Sequence, residues 1–220
     1  RLRAVVTERW DMPPDAVTFE GGEVRAGTRR ASFGEVVTWM QTEGQPTRLT
    51  YHYHAPETKP LGEGGDMHVA FGFSAQAAQV AVDEASGEVQ VLRLIAACDG
   101  GRAINPQALL GQIEGGLVMG IGTALTEAYR LEEGIPQTQK WADYQVPLLK
   151  HTPQLDVKVI EHPVSTGPYG AKGIGELPAI PTAPAICNAI YAATGVRVTK
   201  LPVDPALLGI QPVNSWTMSH

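Results

Sequence analysis

Residues 17–26, VTFEGGEVRA, alternate apolar and polar side chains on either side of Gly21-Gly22, a pattern that predicts a short hairpin. FGEVVTWM, from Phe33 to Met40, has the spacing of a short helix with Ser32 as its N-cap. Between residues 41 and 65 the rhythm lapses into Gly, Pro and polar groups, which reads as a long connecting loop. From Asp66 to Cys98, two runs rich in β-branched and aromatic residues, HVAFGFSAQAAQVAVD and VQVLRLIAAC, flank the turn EASGE. They predict a long antiparallel hairpin.

The period then changes. In INPQALLGQIEGGLVMGIGTALTEAY, Leu109, Ile113, Leu117 and Ile121 recur every fourth residue and predict a helix with one apolar face. EEGIP is a turn and LDVKVIEH, 155–162, a strand by alternation. PAIPTAPAICNAIYAATG supports a helix with prolines in its N-terminal part and Gly195 as its C′ residue. VRVTKL is expected to be a final strand and QPVNSWTMSH a loose tail. No internal repeat occurs. Mixed strands and helices with an antiparallel hairpin predict an α+β fold, not a doubly wound parallel sheet.

Two segments contradict their own local preferences. The predicted helix after Ile104 contains Gly111, Gly115, Gly116, Gly120 and Gly122, each costing about 1 kcal/mol relative to Ala in a helix interior. Close approach of another backbone or of a ligand is the usual compensation. The pattern alone leaves helix packing and a cofactor contact both open, with Gln112 and Glu114 the polar groups on this small-residue surface. The second segment, GPYGAKGIGE, sets four glycines and Lys172 before a lone carboxylate, Glu176. Its spacing matches neither GxxxxGK[ST] nor GxGxxG, so a P-loop or dinucleotide fingerprint is disfavoured. Glu176 is expected at the opening of the following helix, where the macrodipole favours the ionised form. There it suits a general base facing a ligand, and equally a helix-capping acid with no chemical task.

Composition narrows the classes. At 220 residues the chain suffices for one large or two small domains, and 43% hydrophobic with 18% charged residues is ordinary for a globular protein. A net charge of −6 argues against a nucleic-acid partner, because sequence-independent binding needs clustered Lys and Arg. Arg25, Arg29 and Arg30 form only a small basic turn beside Glu23. Cys98 and Cys187 lack metal or redox spacing and read as reduced, buried thiols, consistent with a cytoplasmic setting. His52 and His54 form an HxH pair without further ligands, so no metal site is predicted on protein side chains. No Ser-His-Asp order or GxSxG elbow occurs. No run of roughly 18 to 20 consecutive apolar residues marks a membrane span. The start on Arg1, directly on an apolar-charged alternation, reads as a piece of a longer polypeptide.

Together, DGGRAINPQALLGQIEGGLVMGIGTAL (99–125), the intervening DYQVP, and GPYGAKGIGELPAIPTAPAICNAIYAATGVRVTKLPVDP resemble the large subunit of the molybdenum hydroxylases, the xanthine dehydrogenase and aldehyde oxidase family. The resemblance is most specific over 67–208, and residues 1–66 agree only loosely. It implies the C-terminal lobe of a molybdopterin-binding domain at 67–208, preceded by a leading segment of hairpin, helix and loop at 1–66 and followed by a tail at 209–220. It further implies a pyranopterin molybdenum cofactor, with Glu176 as the base that takes a proton from a metal-bound hydroxyl while water supplies the product oxygen. Gln112 matches the glutamine that lies at the cofactor, and Ala171, Lys172, Gly173 and Gly175 match the loop that approaches it. Met119, Leu177 and CDGG depart from the family's usual glutamine, proline and aspartate-valine-glycine.

The same resemblance implies partners: the remainder of the large subunit, iron-sulfur (2Fe-2S) and FAD subunits or domains, and an oligomer. The expected substrate is an aldehyde or an N-heterocycle. The competing expectation is a noncatalytic folding or assembly module that binds partner subunits.

Overall fold

The computed structural model describes residues 1–209, and the chain divides into two compact units, Arg1–His54 and Ala55–His220. The expected tail at 209–220 lies, from residue 210 on, outside the described residues.

In the first unit, helix α1 (Leu2–Trp10) precedes a three-stranded antiparallel meander of β1 (Thr18–Glu20), β2 (Glu23–Ala26) and β3 (Arg29–Ser32), and helix α2 (Phe33–Thr42) follows. Gly21 and Gly22, at φ 58° and 80°, make the β1–β2 turn, because both central positions of such a tight hairpin need the left-handed region. Ser32 and Glu35 form a capping box: the Glu35 N–H donates to Ser32 Oγ at 3.2 Å and the Ser32 N–H to Glu35 Oε2 at 2.8 Å. Val5, Val6, Val17, Val24, Val36 and Met40 form the core of this unit. Helix α1 was not expected, since Val5-Val6-Thr7 is a β-branched run with poor helix propensity. Burial of Val5 and Val6 overrides that preference.

The second unit is built on a three-stranded sheet in which β5 (Val89–Asp99) lies between β4 (Ser74–Val82) and β8 (Gln154–Ile160). β4 and β5 form the expected antiparallel hairpin, closed by a turn in which Asp83 Oδ1 accepts from the N–H groups of Ala85 and Ser86 at 3.0 and 2.7 Å. The hairpin begins at Ser74, later than the pattern from Asp66 implied. β5 and β8 run parallel, as a crossover connection requires. That crossover holds helix α3 (Pro106–Leu125), a small ribbon of β6 (Leu131–Glu132) and β7 (Ile135–Pro136), and the short helix α4 (Trp141–Tyr144). Helix α5 (Thr182–Thr194) follows β8 and ends on Gly195 at φ 74°.

One face of β5, through Leu94, Ala96 and Cys98, packs with Ile113, Leu117 and Ile121 of α3 and with Ile186 and Ile190 of α5. The fold is α+β, as expected. Helix α3, with 20 residues and a mean hydropathy of 1.3, is long and apolar enough to cross a membrane, which reading by consecutive apolar residues did not reveal. Its Ile113, Leu117 and Ile121 stripe is sealed in the core of this unit, and Gln112 and Glu114 interrupt the apolar run on either side of Ile113.

VRVTKL is not a strand. β-propensity requires a partner ladder, and this segment has none among the described residues; Val196 and Val198 instead pack at the margin of the core.

The parallel pairing has a consequence for function. Asp99 at the end of β5 stands opposite Ile160 at the end of β8, so the segments leaving both strands emerge at the same end of the sheet. Loops at the carboxyl ends of parallel strands are where open sheets bind ligands.

Candidate functional site

Both family-like motifs meet at this end. Gly101 forms an isolated bridge with Ala171. The Lys172 N–H donates to the Gly100 carbonyl and the Arg102 N–H to the Gly170 carbonyl, each at 3.0 Å. Lys172 Nζ sits 2.6 Å from Asp99 Oδ2, with only 3% and 7% of the two side chains exposed. Asp99 Oδ1 also accepts the Gly101 N–H at 2.9 Å. Gly101 must be glycine: its φ is 65°, and a Cβ would lie 2.4 Å from the Gly170 carbonyl oxygen. Burial pushes the Asp99 carboxyl up, but hydrogen bonds from Lys172 and Gly101, the Lys172 charge and a hydrogen bond from the His162 backbone outweigh it and hold the group below the usual carboxylate range.

From Lys172 the chain runs along α3. Leu109 and Ile174 both crowd Gly100. Farther along, a Cβ on Gly116 would come within 2.8 Å of Pro178, and one on Gly120 within 2.3 Å of Thr182 Cβ. The turn of residues 177–181 is therefore laid against α3 where glycine removes the side chain. A second clamp comes from β4: Gln76 Nε2 donates to the Pro178 carbonyl at 2.6 Å, and Thr182 Oγ1 lies 2.7 Å from Gln76 Oε1 and 2.9 Å from the Pro178 carbonyl, its single hydrogen shared between them.

Glu176 lies between these two fixed points, exposed, with its carbonyl accepting the Ala179 N–H at 3.0 Å. Among the described residues no ion pair or side-chain hydrogen bond engages its carboxylate. The expected position at a helix opening is wrong: α5 begins at Thr182, with Pro181 as N-cap. Pro178 and Pro181 disfavour the α conformation at Leu177 and Ile180, so the segment turns before it can coil. The macrodipole therefore does not act directly on Glu176.

The five glycines of α3 divide by task. Gly116, Gly120 and Gly122 face close neighbours, the last against Glu127 and Pro147, whereas a Cβ at Gly111 or Gly115 would meet nothing within 4 Å. Gly111 and Gly115 thus lie on an open face with exposed Gln112 and Met119 beside them. Gln112 precedes Gly116, against which Pro178 packs, by four residues and so sits about 40° around the helix from it.

Gly173 and Gly175 are also open, with nothing within 4 Å of an added Cβ. Among the described residues no acceptor takes the N–H of Gly173, Ile174 or Gly175. Exposed backbone donors and a free amide beside a surface stripped of side chains fit a bulky polar ligand such as a pterin cofactor. Ala171 and Lys172 do not share this character: Ala171 is in the bridge, and the Lys172 ammonium is spent on Asp99. A cavity of about 870 Å³ lies elsewhere, at the hairpin end of β4 and β5, lined by Val82, Val89, Ile121 and His151.

Sequence reasoning missed Gln76, Asp99 and Thr182. Asp99 and its glycines were visible as a motif, but nothing in the spacing coupled it to Lys172. Gln76 looked like any polar residue on a half-buried strand.

Comparison with known proteins shows the family. The model of the molybdopterin cofactor-binding domain matches residues 1–153; the leading segment, where the likeness looked loose, is thus inside the match. The molybdenum-binding subunit PaoC of an aldehyde oxidoreductase from Escherichia coli K12 is 33% identical over 207 residues, covering 92% of this chain and 27% of the relative. A match of that extent necessarily includes residue 176. The molybdenum-binding subunit of the xanthine dehydrogenase from Escherichia coli O157:H7 is 38% identical over 129 residues, covering 58% of this chain and 17% of the relative. The chain thus spans about a quarter or less of the length of these curated relatives. Among solved structures, the aldehyde oxidoreductase of Desulfovibrio desulfuricans superposes with a TM-score of 0.67 at 31% identity, covering 78% of this chain and 19% of that one. By sequence and by fold, the chain belongs to the molybdopterin cofactor-binding domain family of the molybdenum hydroxylases.

Proposed function

We propose that this chain supplies the catalytic base of a molybdenum-dependent oxidoreductase that hydroxylates an aldehyde or an N-heterocycle with oxygen derived from water. The observation that carries the reading is Glu176: an exposed carboxylate without a side-chain partner among the described residues, on a turn clamped at both ends and laid against α3 at Gly116. The relatives are named aldehyde oxidoreductase and xanthine dehydrogenase, which supports those two substrate classes.

Gln112, with the backbone of Gly173 and Gly175, would hold the cofactor, and Ala171 and Lys172 fix that backbone through the bridge to Gly101 and the bond to the Gly100 carbonyl. When bound, the cofactor supplies the two-electron oxidation. The chain's own part is to present a proton acceptor: a Glu176 carboxylate oxygen takes a proton from a water-derived hydroxyl, which raises its nucleophilicity toward an electron-poor carbon. The glycines around it leave room for a flat substrate. Iron-sulfur and FAD partners, which would carry electrons away, lie outside this chain in the proposal, as does the rest of the large subunit.

Glu176→Gln in the complete enzyme keeps the shape and removes the base. The expected result is a fall in kcat of about 10²–10⁴-fold with molybdenum content unchanged. Unchanged turnover would favour the assembly-module reading instead.

A further inference from the structure

We infer that Asp99 and Gln76 are positioning residues that hold the Glu176 turn from its two sides. The inference rests on Glu176 being the base, and it assigns a task to two side chains that do not face the open glycine surface.

Four residues before Glu176, the Lys172 ammonium is buried against Asp99 at 2.6 Å. A buried lysine that needs a partner cannot swing out, so the backbone at Lys172 is fixed to the end of β5. The Lys172 N–H to the Gly100 carbonyl repeats the same tie through the main chain. Two residues after Glu176, the Pro178 carbonyl accepts from Gln76 Nε2 at 2.6 Å, and the Gln76 carbonyl oxygen faces the buried Thr182 hydroxyl at 2.7 Å. Gln76 therefore uses both ends of its amide on one turn. β4 and β5 pair along their length, Gln76 opposite Ala96 and Ser74 opposite Cys98. Both anchors thus stand on one rigid hairpin, and the span between Lys172 and Pro178 is short.

Each anchor adds a side-chain tie to those of the main chain. Without Asp99 the Lys172 side chain is released and the backbone there is held only by its main-chain bonds to residues 100–102, while Pro178 stays against Gly116. Without Gln76 the exit of the turn loses a donor to Pro178 and an acceptor for Thr182. In either case the carboxylate gains freedom of the kind that, at about 1 Å of misplacement, costs on the order of 10²-fold in rate.

The test uses the complete, molybdenum-loaded enzyme with Asp99→Asn and, separately, Gln76→Leu, which buries no unpaired charge and keeps the test open should the first not fold. Hydrogen–deuterium exchange is followed on peptides covering 167–182, alongside molybdenum content, kcat and KM. The expected result is faster exchange at the Lys172 or Ala179 amides with the β4–β5 amides still protected. kcat should fall on the order of 10²-fold while KM and molybdenum content hold. Unaltered exchange over 167–182 in Gln76→Leu, or a kcat within about twofold of the parent, overturns the inference. Glu176→Gln is run in parallel: if its turnover is unchanged the base assignment fails, and the exchange data alone still decide whether the two anchors hold the turn.

Discussion

Replacing Gly120 with Ala and Gly115 with Ala should move stability in opposite directions, although the residues are five positions apart on one helix. At Gly120 the new Cβ would stand 2.3 Å from Thr182 Cβ and 2.8 Å from its Cγ2 and Oγ1. Carbon contacts relax near 3.5–4 Å, so the turn or the helix must give by more than about 1 Å. Thr182 cannot rotate away cheaply, because its hydroxyl is engaged with Gln76 and Pro178 and the residue is fully buried. Overpacking of this kind costs about 1–3 kcal/mol, and loss of one hydrogen bond adds about 1 kcal/mol. Improved helix propensity returns about 1 kcal/mol. The net loss for Gly120→Ala is about 1–3 kcal/mol. At Gly115 nothing stands within 4 Å, so only the propensity gain of about 1 kcal/mol remains. Urea unfolding of the purified chain, followed by far-ultraviolet circular dichroism, should raise the midpoint for Gly115→Ala and lower it for Gly120→Ala with a similar slope. Equal destabilisation by both would refute the division of the helix into a packed and an open face. In the complete enzyme, Gly115→Trp should lower molybdenum content, since the open face is proposed to receive the cofactor.

Further consequences follow from other contacts. The folded Asp99 titrates below its unfolded value, so its contribution to stability is present above about pH 4 and is lost as pH falls through the lower folded value. Asp99→Asn should therefore flatten the acid limb of the unfolding profile, and an unchanged limb would count against the buried pair. Ile186, fully buried between α5 and the sheet, should cost about 2–5 kcal/mol on truncation to Ala, read as a lower denaturation midpoint. Ser32→Ala removes the N-cap of α2 and should cost about 1 kcal/mol; a loss under a few tenths would show that the cap is not needed there.

Much of the fold was legible because periodicity survives folding. The Leu109–Ile121 stripe, the Gly21-Gly22 hairpin and the Ser32 cap each state a local preference that the tertiary structure has no reason to oppose. Expectation failed where the local signal was ambiguous or irrelevant. VRVTKL has the composition of a strand, but a strand is a pairing and no neighbour pairs with it among the described residues. Val5-Val6-Thr7 disfavours a helix that burial then imposes.

At the site, the chain's residues by themselves marked the candidates, Glu176, Gln112 and the glycines around them, through a family-like pattern. Tertiary structure alone decided which of those positions are packed and which stay open. It spent the Lys172 charge on Asp99, set Gly116 and Gly120 to packing while leaving Gly111 and Gly115 open, and moved Glu176 off the helix onto a clamped turn. The physical reason is that these outcomes depend on contacts between residues far apart in sequence, such as Asp99 with Lys172 and Gln76 with Thr182. Spacing along a chain fixes faces and turns; only the parallel pairing of β5 with β8 brings the two motifs to one end of the sheet.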